Sequence, residues 1–221
     1  MKKLTAKQKK IISIAWKQVE NFIKDWQKSP FEYSTERDIQ ADIASRLKGA
    51  YKIKNWHTLL IKSKNRHTPK PYDKQGFICS RVCCEPGYYH KKGEFPRKPD
   101  IVVLDDLKSP EHLPDEDKKG NRIRYRNYKA LWVCEIKYYH EWNKAFIDFK
   151  HSWDAKKLYW MHRRRDGARY GCWLYVHRIR PKSYKQFIEK GYRKRDGYMM
   201  RPITKDGRYV AYFVTLPPEK R

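Results

Sequence analysis

The sequence predicts an α/β chain, and three observations carry that expectation. Apolar residues recur at i, i+3 and i+4 in two N-terminal segments, the period of an amphipathic helix. Short apolar runs bounded by turn residues follow, as buried strands require. A third helical pattern then separates the strand-like run Ala130–Tyr139 from another at 171–176, so helices and strands alternate instead of segregating.

Residues 4–27 set Ile11, Ile12, Ala15, Trp16, Val19, Phe22, Ile23 and Trp26 on one helical face, and Ser29-Pro30 closes the helix. A second helix starts near Ser34 or Thr35, where Thr35 and Asp38 form a capping box. It carries Glu36 in its first turn, continues through Ile39, Ile43 and Leu47, and is expected to stop at Gly49. A short strand at Thr58–Ile61 precedes a basic, proline-containing loop through Lys74. Residues 77–84 read as one strand and Pro86-Gly87 as a turn. Ile101–Leu104 is a short buried strand introduced by Lys98-Pro99-Asp100, and the polar residues 107–122 form an exposed insertion. After Ala130–Tyr139 comes a helix over 141–164, with Trp142, Phe146, Phe149, Trp153 and Trp160 along one face. The strand at 171–176, a short helix at 182–190 and a hairpin of 199–204 with 208–216 complete the chain. The expected organisation is a single domain: an N-terminal helix (1–30), a core (34–178) that reads α, β, β, β, α, β when the short strand at 58–61 is left out, and a C-terminal helix and hairpin (179–221).

Composition narrows the partners. Apolar residues make up 39% of the 221, below the roughly 45–50% of ordinary globular chains, yet 8 Trp, 17 Tyr and 8 Phe supply core area and exclude a disordered chain. Against 25 Asp and Glu stand 52 Lys and Arg, a formal net charge of +27. Such an excess repels itself unless a polyanion screens it, and nucleic acid is the natural polyanion. An anionic membrane surface or an acidic protein would also screen it. The five cysteines, Cys79, Cys83, Cys84, Cys134 and Cys172, are odd in number, and no second pair stands at zinc-finger spacing. They read as structural thiols of a reducing compartment. The apolar stretch 11–16 is broken at once by Lys17 and Gln18, and no run approaches membrane-spanning length. The expectation is an intracellular, cytoplasmic protein outside the membrane.

The chemistry centres on Glu135-Ile136-Lys137. Side chains alternate along a strand, so Glu135 and Lys137 share one face while Ile136 turns into the packing. Asp100 opens a neighbouring apolar strand. If the two strands pair, Asp100 and Glu135 converge, and converging carboxylates suit Mg²⁺, a hard ion that prefers oxygen. A nearby lysine can orient water or stabilise charge on an attacked phosphate.

Pro99-Asp100 followed by Glu135-Ile136-Lys137, set in an α-β-β-β-α-β order, resembles the PD-(D/E)XK nuclease superfamily over about residues 34–178. The resemblance implies a restriction-endonuclease-like fold, with a mixed central sheet flanked by helices. It implies that Asp100, Glu135 and the backbone carbonyl of Ile136 bind Mg²⁺, with Mn²⁺ as a substitute. By the same resemblance Lys137 positions the attacking water, and Glu36 matches an acidic residue that reaches the metal. The implied reaction is cleavage of double-stranded or branched DNA, and two such sites in a homodimer would cut both strands. The long charged insertion between the two motif strands departs from the shorter hairpins common in that family.

Plainer readings stand beside these. Glu135 and Lys137 can be a solvent-facing pair, Asp100 a turn cap, and Glu36 a residue favoured by the helix dipole. Glu85 is a reserve ligand or an ordinary turn residue. Arg97 and Lys98 adjoin Asp100 and are placed to touch substrate. Arg163, Arg164 and Arg165 either complement a helix C-terminus or grip a phosphate backbone. His140-Glu141 has no second histidine at zinc-protease spacing. Besides a nuclease, the same residues admit a non-catalytic nucleic-acid binder or a basic adaptor for acidic proteins.

Overall fold

The computed structural model describes residues 3–61, 77–85, 98–105, 130–139, 156–158, 161–162, 168–178, 185–195 and 198–216. Helix α1 (Ala6–Lys28) begins with a reciprocal box in which Thr5 accepts from the Gln8 amide and the Gln8 side chain accepts from Thr5. Helix α2 (Glu36–Ile53) is capped the same way by Thr35 and Asp38. It does not stop at Gly49. The helix continues one turn because Tyr51 is fully buried and donates its hydroxyl to the Ile11 carbonyl at 3.0 Å, which outweighs the roughly 1 kcal/mol that an interior glycine costs.

Strand β1 (Thr58–Ile61) pairs antiparallel with β2 (Phe77–Ser80). The single strand expected over 77–84 is in fact two, since the chain leaves this hairpin at Arg81 and β3 (Val82–Cys84) joins the main sheet. Arg81 is only 1% exposed. Its guanidinium donates to the carbonyls of Trp56 at 2.5 Å and Leu104 at 2.8 Å, and its amide donates to His57 at 2.9 Å. A buried cation must have its donors satisfied, and satisfying them fixes the change of direction.

The main sheet contains β3, β4 (Ile101–Leu104), β5 (Ala130–Tyr139), β6 (Tyr170–His177), β7 (Arg193–Arg195), β8 (Tyr198–Pro202) and β9 (Tyr209–Thr215). Its order is β3-β4-β5-β6-β9-β8-β7. The inner pairs β5/β6 and β6/β9 are parallel and the others antiparallel. The molecule is therefore mixed α/β, with a seven-stranded mixed sheet flanked by helices. Edge strand β7, all exposed cations, was not foreseen in the sequence; like-charged edges discourage unwanted strand pairing. Short helix α3 (Lys185–Glu189) falls inside the expected 182–190, and β8/β9 is the expected hairpin. Of the helix expected over 141–164, residues 156–158 and 161–162 are helical; Trp142, Phe146, Phe149, Trp153 and Trp160 lie outside the described residues. So do Pro86-Gly87 and the insertion 107–122.

Two apolar cores result, one per face of the sheet. Helices α1 and α2 cover Ile101, Val103, Trp132, Cys134, Ile136 and Leu174. On the other face Val102, Val133, Trp173, Tyr175 and Phe213 pack with Leu158, Met161 and Phe187. Gly171 marks the tightest point: a Cβ there would stand 2.7 Å from both Tyr209 and Val133 side chains. Cys134 and Cys172 are register partners on β5 and β6, buried reduced thiols whose Sγ atoms touch at 3.3 Å. Burial pushes the Cys134 thiol well up. No helix among the described residues is long and apolar enough to cross a membrane.

Candidate active site

The register of β4 on β5 builds the site. Ile101 lies opposite Cys134, so one step outward brings Asp100 level with Glu135 on the face away from α1 and α2. The contact is direct: the Ile136 amide donates to Asp100 Oδ2 at 2.5 Å. The Asp100 carbonyl accepts from Gln40 Nε2 at 2.6 Å and from the Glu85 amide at 3.0 Å, fixing the residue from α2 and from the end of β3. Burial drives the Asp100 carboxyl up from 3.8 to about 6. The Ile136 amide, Lys157 and Lys137 pull it down, while Glu36 pushes it further up.

Glu135 is fully buried, and its Oε2 accepts from Lys157 Nζ at 2.6 Å. Lys157 also donates to the Lys98 carbonyl at 3.1 Å, tying the helical residues 156–158 to the strand leading into β4. Lys137, half-buried two residues along the same face, holds Glu36 of α2 at 3.2 Å. Ile136 points the other way into the α1–α2 core with no exposure, as the alternation of a strand demands. Asp100, Glu135, Lys137 and Glu36 thus gather along the second half of β5, held by two lysine–carboxylate pairs and one backbone hydrogen bond.

Two residues of this cluster were not singled out in the sequence. Lys157 stands four residues after Trp153 and three before Trp160, in a slot of the expected apolar stripe. A lysine at such a position needs a buried partner, and that was the legible signal. Gln40 follows Glu36 by one helical turn and so shares its face. Lys98 is exposed and contributes its carbonyl to the cluster, and exposed Glu85 contributes its amide. Arg97, Arg163, Arg164 and Arg165 lie outside the described residues. Among the described residues, no three His, Cys, Asp or Glu side chains are grouped to hold a metal ion.

That cluster amounts to one buried and two partly buried acids, Glu135 and Asp100 at adjacent strand positions, interleaved with two lysines. It can hold a cation through hard oxygen donors, or it can hold its own ammonium groups. The chain matches no protein-family model, no curated protein and no solved structure.

Proposed function

We propose that the chain is a magnesium-dependent nuclease of the PD-(D/E)XK type, hydrolysing phosphodiester bonds of DNA. The observation that carries this reading is the hydrogen bond from the Ile136 amide to the Asp100 carboxylate, which sets Asp100 beside a fully buried Glu135 with Lys137 on the same face. With the separate β1–β2 hairpin set aside, the order α2, β3, β4, β5, helical residues 156–158 and 161–162, and β6 supports a restriction-endonuclease-like core.

The donor set suits the ion. Mg²⁺ is commonly held by one or two carboxylates together with substrate phosphate oxygens, so Asp100, Glu135 and the Ile136 carbonyl suffice without a third acid. Burial already disfavours ionised Asp100, and a nearby dication reverses that preference. The bound metal would supply Lewis acidity and neutralise charge on the phosphate. Lys137, braced by Glu36, orients the attacking water and stabilises negative charge as the P–O bond breaks. Lys157 pairs with Glu135 and holds it in place. The net charge of +27 attracts the polyanion.

One observation favours a second reading, a nucleic-acid binder without catalysis: Lys157 already neutralises Glu135. Incubation of plasmid, single-stranded and branched DNA, and RNA, with Mg²⁺ or Mn²⁺ separates the two. Cleavage by wild type, lost in Asp100→Ala, Glu135→Ala and Lys137→Ala while gel-shift binding persists, is the expected result. Binding without cleavage of any substrate would establish the binder instead.

A further inference from the structure

Phe31 sits in the turn between α1 and α2 and is 72% exposed, alone among aromatics in the described residues' large exposed apolar side chains. Leaving a phenyl ring in water forgoes a large burial gain, so its support matters. The Arg178 guanidinium lies over the Phe31 ring at 5.5 Å and over the Tyr138 ring at 5.4 Å. Arg178 is itself anchored by donating to the Tyr33 carbonyl, which also accepts the Tyr138 hydroxyl at 2.8 Å. Tyr33 in turn donates to Asp42 at 2.6 Å and meets Phe22 edge-on at 5.4 Å. Phe31 is thus propped from behind by a fixed cation–π stack.

Its position is equally specific. Tyr138 follows Lys137 on β5 with its side chain on the opposite face, Arg178 directly follows β6, and Glu36, which reaches Lys137, lies on the same turn-to-helix segment as Phe31. The platform therefore stands where parallel strands β5 and β6 both end, the edge at which ligands of parallel sheets are held. Every nucleobase has a π face, and single-stranded nucleic acid is gripped by aromatic rings next to cations.

We propose that Phe31, backed by Arg178, is a stacking platform for an unpaired nucleobase beside the Glu36–Lys137 pair. The substrate class is then nucleic acid with a single-stranded tail or branch adjoining the scissile bond; this rests on the nuclease reading above. The test uses the full chain in a Glu135→Gln background, which removes the carboxylate required for cleavage. Affinity is measured for a blunt duplex and for the same duplex bearing a tail that contains 2-aminopurine. The parent is expected to prefer the tailed duplex and to quench the fluorophore. Phe31→Ala should cut that preference about tenfold and abolish quenching, and Phe31→Trp should restore both. A parent with no preference, a Phe31→Ala preference within twofold of the parent's, or quenching that Phe31→Trp fails to restore overturns the platform. Circular dichroism of each variant separates these outcomes from misfolding. If wild type cuts no nucleic acid while quenching still depends on Phe31, the nuclease reading falls and the platform stands; if wild type cuts and quenching ignores Phe31, only the platform falls.

Discussion

The two faces of β5 bury opposite kinds of group. Toward α1 and α2, Trp132, Cys134, Ile136 and Tyr138 enter an apolar core. Toward the other side, Val133 begins an apolar face that Glu135 and Lys137 then interrupt with charge. Burying a side chain such as Ile136 stabilises the fold by about 1.5–3 kcal/mol, whereas burying a carboxylate costs free energy that a partner must offset. The same backbone therefore contributes stability on one face and surrenders some on the other. On the nuclease reading proposed above, that loss of stability is the cost of holding charge where catalysis would need it.

Substitutions on the two faces sharpen the contrast. The largest effect belongs to the apolar face: Trp132→Ala removes a fully buried ring that meets Trp16 edge-on at 5.8 Å. Chemical denaturation should show a loss of about 3–5 kcal/mol. A loss below about 1 kcal/mol would mean that α1 does not pack on the sheet as described.

Next comes the ion pair. Lys157→Met, measured in EDTA, should cost about 2 kcal/mol because Glu135 loses the cation bonded to it, less than for a fully buried pair since Lys157 keeps some exposure. Adding Glu135→Gln to that variant should recover most of the loss, a coupling that a double-mutant cycle reads directly. Additive losses would show that the pair is not a unit.

The smallest effect has the opposite sign. Asp100 has a folded-state value raised from 3.8 to about 6, so the folded chain prefers the protonated acid. The resulting penalty on stability is absent below 3.8, grows between there and about 6, and is complete above. Asp100→Asn keeps an acceptor for the Ile136 amide and removes the charge. In metal-free buffer at pH 8 it should raise stability by ~1 kcal/mol, a figure discounted for residual solvent access. That gain should vanish on acidification toward pH 3.8. A destabilised variant at pH 8 would indicate that the lysines already stabilise the ionised acid.

Much of this was legible from local pattern. Thr35 with Asp38 announces the start of α2, and the apolar runs at β4 and β5 announce buried strands, with Asp100 opening the first and Glu135 inside the second. The places where pattern misled are places where tertiary contacts decide. Gly49 looked like a helix end because glycine is a common cap, but the buried Tyr51 lies one turn beyond it. Residues 77–84 looked like one strand because Arg81 does not break the β pattern; only its bonds to Trp56 and Leu104 reveal the switch between sheets. Strand β7 carries no apolar side chain, so it has no hydrophobic period to detect. Lys157 was hidden because its partner stands on another element, although its place in an aromatic stripe was visible. The Phe31–Arg178 stack joins residues far apart in sequence, and spacing cannot pair them.

The position of β9 makes the interior of the sheet depend on its last strand in sequence. This strand, the last of the sheet in sequence, lies in its interior between β6 and β8 and runs parallel to β6. Until residues 209–215 are in place, β6 has one open edge and supports β5 from one side only. Parallel neighbours cannot form as hairpins, so closing this gap brings together segments separated by a long stretch of chain. The charged stretch of β5 therefore depends on a strand that is not its hydrogen-bonded neighbour.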